Sequence, residues 1–166
     1  LSLANSSATV DIKNSHVNAE SISIKPTSKN SASTLTTLST NGADGFGSFR
    51  QKNNKRNGIS GGVSNTDTTA TINLDSASSL NAQGDITLKT SASPTNAAKA
   101  STTIYNDGIL SLGFALGLDD ADSTITIDGN VTSQRLDNKP EKFTVQADPN
   151  VISLINSEGF IIATGN

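Results

Sequence analysis

Apolar and polar residues alternate in short runs along this chain, and the runs recur. Ala8, Val10 and Ile12 alternate with Thr9 and Asp11, Ala70, Ile72 and Leu74 with Thr71 and Asn73, and Ile125 and Ile127 with Thr124 and Thr126. A period of two marks strands with one face buried. Each run leads through a short polar step to further strand-like segments: Val17 to Ala19 and Ile22 to Ile24, Leu80 to Ala82 and Ile86 to Leu88, and, after a longer insertion, Phe143 to Val145. No stretch carries the 3.6-residue period of a helix. Turns are expected at Asn41-Gly42, Asn57-Gly58, Gly84-Asp85, Asp107-Gly108, Asp128-Gly129 and Gly165-Asn166, where Gly, Asn and Asp tolerate backbone angles that other residues avoid.

The recurrence is one of whole phrases. SATVDIKNSHVNAESISIK at 7–25 returns as TATINLDSASSLNAQGDITLK at 69–89, with its apolar positions kept and its polar ones rewritten. The offset is 70 − 8 = 62 at the first strand and 86 − 22 = 64 at the next. It is 94 − 26 = 68 at the proline, where Pro26-Thr27 recurs as Pro94-Thr95, and Ala32-Ser33-Thr34 recurs as Ala100-Ser101-Thr102. A third copy begins sooner, at 124 − 71 = 53, and Leu1-Ser2-Leu3 echoes Leu110-Ser111-Leu112 ahead of it. A two-sheet sandwich does not need such repetition. Stacked coils do, because every level of the stack meets the same environment. The expected fold is therefore all-β, a right-handed parallel β-helix (a β-solenoid). Inward Ala8, Val10, Ile12, Ala70, Ile72, Leu74, Ile125 and Ile127 would form its ladders, in seven or eight coils if each takes roughly 20 residues.

Composition agrees with a thin interior. Hydrophobic residues make up 33% of the 166 and aromatics 4%, too few for a thick core, yet charged residues at 16% are fewer than a disordered chain usually carries. There is no Cys, so disulfides and thiolate metal sites are unavailable. No apolar run approaches the roughly 18 residues that suggest a membrane span. A net charge of −3 gives no general attraction to nucleic acid or anionic lipid. The chain opens at Leu1 without Met, and the expectation is a single β-solenoid segment, 1–166, from a longer repeat protein.

Two stretches carry a family resemblance. Ser79-Leu80-Asn81-Ala82-Gln83-Gly84-Asp85-Ile86-Thr87-Leu88 resembles a repeat of filamentous-haemagglutinin-type adhesins and related giant secreted bacterial surface proteins. So does Leu154-Ile155-Asn156-Ser157-Glu158-Gly159-Phe160-Ile161-Ile162-Ala163-Thr164-Gly165-Asn166. The resemblance implies a right-handed parallel β-helix exported as a Cys-poor chain. It also implies a place outside the cell, secreted or on the bacterial surface in association with the outer membrane, as a stalk, adhesin or biofilm matrix fibre. Residues 38–68 and 130–142 fit the repeat poorly, and no functional residue carries over. The partners it suggests are neighbouring repeats of the same protein, a host-surface or matrix polysaccharide, or another copy end to end.

Candidate chemistry is sparse, and no catalytic residue is assigned. His16, the single histidine, falls in a turn where the second copy has Ser78, with no recognisable partner for acid–base work. Asp11, Asp75 and Asp128 all occur after or within corresponding strands and could serve a polysaccharide-cleaving groove, but exposed polar positions on any solenoid look the same. The cluster Asp119, Asp120 and Asp122 offers the oxygens that calcium requires, and Asp44 lies in a glycine-rich stretch. Without the repeated Gly-Gly-x-Gly-x-Asp array, a solvated acidic loop is the default. Arg50, Lys52, Lys55 and Arg56 concentrate four of the twelve basic residues in seven positions, within an irregular Gly/basic loop at 41–62. That loop is the candidate binding site for an acidic polysaccharide or a lipid headgroup, the plainer reading being a mobile insertion. A non-enzymatic stalk or adhesive segment is expected, a self-assembling extracellular fibre being the alternative and a polysaccharide-active enzyme the third.

Overall fold

The computed structural model describes residues 1–40, 48–50, 56–105, 108–133, 142–150 and 152–162. Among these every regular element is a strand: β1 (Ser2–Ile12), β2 (His16–Ala19), β3 (Ile22–Ile24), β4 (Thr27–Thr40), β5 (Ser48–Arg50), β6 (Arg56–Leu74), β7 (Ser79–Ala82), β8 (Ile86–Tyr105), β9 (Gly108–Ile127), β10 (Asn130–Ser133), β11 (Phe143–Pro149) and β12 (Ile152–Ile162). They form three sheets. The first joins β1, β6 and β9, with β5 added antiparallel to β6; the second joins β2, β7 and β10; the third gathers β3, β4, β11 and β12 on β8. Every pairing except that of β5 is parallel. The chain thus visits the first, second and third sheets in that order three times, laying down three tiers.

Repeat offsets and sheet register coincide. Ala8 stands beside Ala70 (70 − 8 = 62), Ile22 beside Ile86 (86 − 22 = 64) and Thr71 beside Thr124 (124 − 71 = 53). The eight residues expected to point inward do so: Val10, Ile72 and Ile125 form one ladder and Ile12, Leu74 and Ile127 the next. In the middle tier Ile72 and Leu74 are fully buried, while their counterparts in the outer tiers are half-buried, having a neighbour on one side.

The interior has two parts. Where the three sheets meet at the corner, Ile22, Ile72, Leu74, Leu80, Ala82, Ile86 and Leu88 form the apolar core, against which Ile12, Ala19, Ile24, Ile125, Ile127 and Val131 pack. Each fully buried Leu or Ile there is worth roughly 1.5–3 kcal/mol of removal from water. Away from the corner the first and third sheets close on one another in a seam filled mainly by Ser, Thr, Ala, Asn and Gly, with Leu38 and Pro94 also buried. Buried within it are Ser28, Ala32, Thr34, Ser60, Ser64, Thr66, Thr68, Ala92, Asn96, Ala98, Ala100 and Thr102. Facing sheets ordinarily lie about 10 Å apart. Here a single side chain crosses the gap: Thr34 Oγ1 donates to Val63 O at 2.9 Å, Thr36 Oγ1 to Gly61 O at 2.9 Å, and Asn96 Nδ2 to Leu118 O at 2.9 Å. At Gly62 an added Cβ would sit 3.0 Å from Lys99 O.

Several expectations are corrected by this geometry. There are three long tiers in place of seven or eight short coils, because strands of up to 20 residues run the length of the seam. The offset holds at 64 along the whole of β4 and never reaches 68. Asn30 pairs with Pro94, and Ala32-Ser33-Thr34 lie beside Asn96-Ala97-Ala98. Small residues fit the seam interchangeably, so their recurrence carries no register. Likewise Leu3 stands beside Asn65, which stands beside Leu118, so the echo of Leu1-Ser2-Leu3 in 110–112 is not structural. Asn57-Gly58 lies within β6 and is no turn, and 130–133, read as a poor fit to the repeat, is the third-tier strand of the second sheet. Of the 41–62 insertion, 48–50 and 56–62 are paired strand, and the remainder lies outside the described residues.

The corners fix how the tiers stack. Asn14 adopts φ 46°, the left-handed region that Asn tolerates. In the third tier the turn at Gly129 presses onto the second: a Cβ there would lie 2.4 Å from both Asp75 O and Ser78 O. Gly129→Ala is expected to lower unfolding stability by about 1–3 kcal/mol through backbone displacement. Gly61→Ala, where the nearest neighbour of the new carbon is Phe114 O at 4.0 Å, should stay within about 0.5 kcal/mol. Urea unfolding of the two variants checks the contrast.

Candidate functional site

Strand alternation decides where each candidate residue goes. Asp119, Asp120 and Asp122 follow one another on β9, so Asp119 turns inward and is half-buried while Asp120 and Asp122 are exposed on the outer face. Asp119 accepts a hydrogen bond from Thr66 Oγ1, and its other carboxylate oxygen is buried without a partner. Among the described residues no three His, Cys, Asp or Glu side chains converge as a metal-holding group. Asp120 instead stands directly beside Asp67 of β6, two like charges on adjacent strands.

The other carboxylates are occupied by local structure. Asp11 accepts from Asn73 Nδ2 at 2.8 Å and pairs with Lys13 at 3.2 Å. These bonds, the one from Asn73 foremost, hold its pKa below the ordinary aspartate value. Asp75 anchors a corner: Ser78 Oγ donates to it at 2.5 Å and the Asn14 N–H at 3.0 Å, and the hydrogen bond from Ser78 is the main cause of its lowered pKa. Asp128 sits at the corresponding corner, its N–H bonded to Leu74 O at 2.9 Å. The carboxylates of Asp11 and Asp75 are thus engaged in hydrogen bonds within and between the tiers. His16 stands beside Ser79, not Ser78, with Nδ1 2.9 Å from Ser79 Oγ on the exposed face of the second sheet. Lys52, Lys55 and Asp44 lie outside the described residues. Arg50 and Arg56 are placed through their backbones, opposite one another where β5 pairs with β6.

Two outer surfaces have the character of recognition sites. The first is a polar groove across the second sheet, lined by Asn18, Glu20, Asn81, Gln83 and Thr132 with Ala19 and Ala82. Asn81 Nδ2 donates to Asn18 Oδ1 at 2.9 Å, so the amides stand in an ordered row. Such donors and acceptors, with one carboxylate, match the hydroxyls of a sugar.

The second surface is apolar. On β9 the residues facing the seam are Gly113, Ala115 and Gly117, and those facing solvent are Phe114, Leu116 and Leu118, exposed by 58%, 49% and 51%. Beside them on β6 stand Gly61, Val63 and Asn65, with Ile59 two residues earlier, and Leu3 of β1 lies beyond Asn65. Ile59, Val63 and Leu3 are also exposed. The usual amphipathic order is inverted here because the seam admits only small groups. The signal was present in the sequence as large residues alternating with Gly and Ala, but alternation does not say which set is inside.

No protein-family model, no curated protein and no solved structure matches this chain. Among the described residues no helix is long and apolar enough to cross a membrane.

Two outcomes follow from the carboxylates. Asp119→Ser keeps a hydroxyl for Thr66 and removes the unpartnered buried oxygen, and should raise unfolding stability by about 1–3 kcal/mol in urea titrations. For Asp75 the folded pKa is depressed, so its stabilisation is present above the unfolded value of about 3.9 and is lost as pH falls through the lower folded value. Asp75→Asn should therefore show a shallower fall in melting temperature below about pH 4 than the unmodified chain.

Proposed function

We propose that the chain is a segment of a right-handed parallel β-helix serving as a stalk or adhesive surface of a large secreted bacterial surface protein, resembling the filamentous-haemagglutinin-type adhesins. The observation that carries this is the agreement between sequence repeat and sheet register through three successive visits to the same three parallel sheets. A right-handed path is the one that twisted parallel strands favour. Stacked tiers make an extended body whose interior is set by neighbours and whose outer faces are free to vary. Among the described residues the outer edges of β1 and β9 carry no further strand. Such edges accept additional parallel strands, from neighbouring repeats or from another copy end to end.

The adhesive element, on this proposal, is polar. The groove of Asn18, Glu20, Asn81, Gln83 and Thr132 would meet the hydroxyls of a host-surface or matrix polysaccharide, and the basic segment of Arg50, Lys52, Lys55 and Arg56 would add affinity for acidic ones. The role is non-catalytic: Asp11 and Asp75 are engaged in hydrogen bonds that shape the tiers.

Antibodies against the folded chain test the placement. They are expected to label intact cells of the source organism, or protein released to the medium. Staining that appears only after the cells are permeabilised would overturn the proposal.

A further inference from the structure

We infer that the outer face of the first sheet is a two-fold interface between copies of this chain, centred on Val63 and Leu116. This stands on the geometry of one sheet and is independent of the stalk proposal. The face is apolar where a solvent-facing sheet is normally polar: Ile59, Val63, Phe114, Leu116, Leu118 and Leu3 lie on adjacent strands. At exposures between 37% and 67%, these six side chains present roughly 500 Å² of apolar surface, at the upper range of the largest patch on a soluble monomer. Two such patches apposed would bury about 1,000 Å² before any polar rim is counted, which reaches the size of a specific interface.

A second copy is the occupant that the buried area and the placement of the acids fit. Acidic groups lie at one end of the patch: Asp67 and Asp120 stand side by side, and Asp122 follows on the same face. Like charges on adjacent strands repel unless a cation is near. Asp122 stands beside Thr69, six residues past Val63 (69 − 63 = 6), and Asn57 lies six before it (63 − 57 = 6). A two-fold axis along the stacking direction at Val63 and Leu116 runs the facing strands antiparallel. It lays apolar residues on apolar residues and turns the acidic end of each copy away from that of the other, toward the level of Asn57 at the opposite end. This is the self-complementary pattern of a closed two-fold contact. An anionic lipid surface would instead be repelled by the aspartates, in a chain whose net charge is −3.

The experiment is sedimentation of the whole chain at tens of micromolar, with unmodified protein expected as a dimer. Leu116→Lys should weaken association at least tenfold while the circular dichroism melt stays in place, since Leu116 is about half exposed. The chain has no Cys, so Leu116→Cys supplies a single thiol near the axis. Mild oxidation should link it into disulfide dimers, whereas Thr95→Cys, exposed on the third sheet, should stay unlinked. A monomer at these concentrations would overturn the inference, as would equal cross-linking of both thiols. Binding to neutral phosphatidylcholine vesicles by a chain that stays monomeric in solution would overturn it in favour of a lipid surface.

Discussion

The width of the seam between the first and third sheets is the constraint from which the rest of this structure follows. Where a threonine hydroxyl on one sheet reaches a backbone carbonyl of the other, as Thr34 does to Val63 and Thr102 does to Leu112 at 2.7 Å, only one layer of side chains fits between them. Such a layer disfavours Leu and Phe, with Leu38 beside Thr102 the buried exception, and favours Ser, Thr, Ala, Asn and Gly. Buried hydroxyls and amides are tolerable only when bonded, and most of those in the seam are: Asn96 Nδ2 bonds to Ser64 O at 3.1 Å, Thr102 to Ser60 at 2.7 Å and Thr90 to Ser123 at 2.7 Å. A chain with only 33% hydrophobic residues can thus hold three tiers. Its apolar residues are concentrated at the corner, and hydrogen bonds knit the remainder.

The same narrowness makes the candidate interaction surface. Large apolar residues in the 110–118 stretch have no space inward, so they stand outside and the strand turns Gly and Ala to the seam. Asp119 is the counterexample that shows the rule: placed on the inward face beyond Gly117, it finds a hydroxyl for one oxygen and nothing for the other. A carboxylate at that position costs stability in the isolated chain. The exposed Phe114, Leu116 and Leu118 cost solubility unless something covers them. Both departures fall within a few residues on β9, at the edge of the third tier, where further contacts of the chain with its surroundings would be made.

Near the corner, sequence alternation was enough to place β2, β3, β7, the end of β1 and the starts of β8 and β11, and the offsets of 62, 64 and 53 proved to be the register itself. The information there is apolar volume: Ile72 can replace neither a turn residue nor a surface threonine. Beyond the corner the same method failed at Pro94, at Ala100 and at Leu110. Residues of nearly equal size fill the seam, so a match of Ala-Ser-Thr with Ala-Ser-Thr constrains nothing, and a slip of four residues leaves every side chain as small as before. A period of two also leaves the choice of face open. The volume of the alternate residues settles it, and Gly113, Ala115 and Gly117 carried that information unread. As for the site, the sequence placed Asp119, Asp120 and Asp122 together as one cluster, but a strand sends neighbours to opposite sides.

These two regimes imply different tolerances to change. At the corner a ladder such as Val10, Ile72 and Ile125 must keep its volume at every tier, because a shortened side chain leaves a cavity that its neighbours cannot fill. Along the seam the requirement is a ceiling on size together with a partner for each polar atom, which many combinations of Ser, Thr, Asn and Ala satisfy. On the outer faces neither condition applies, apart from the β preference of the strands themselves. Recognition can therefore change on the outside, in the amide row of Asn18 and Asn81 or the apolar strip of β9, while parallel backbone pairing keeps the tiers in place. A thin bonded seam separates the part of the chain that specifies the fold from the part free to meet a partner.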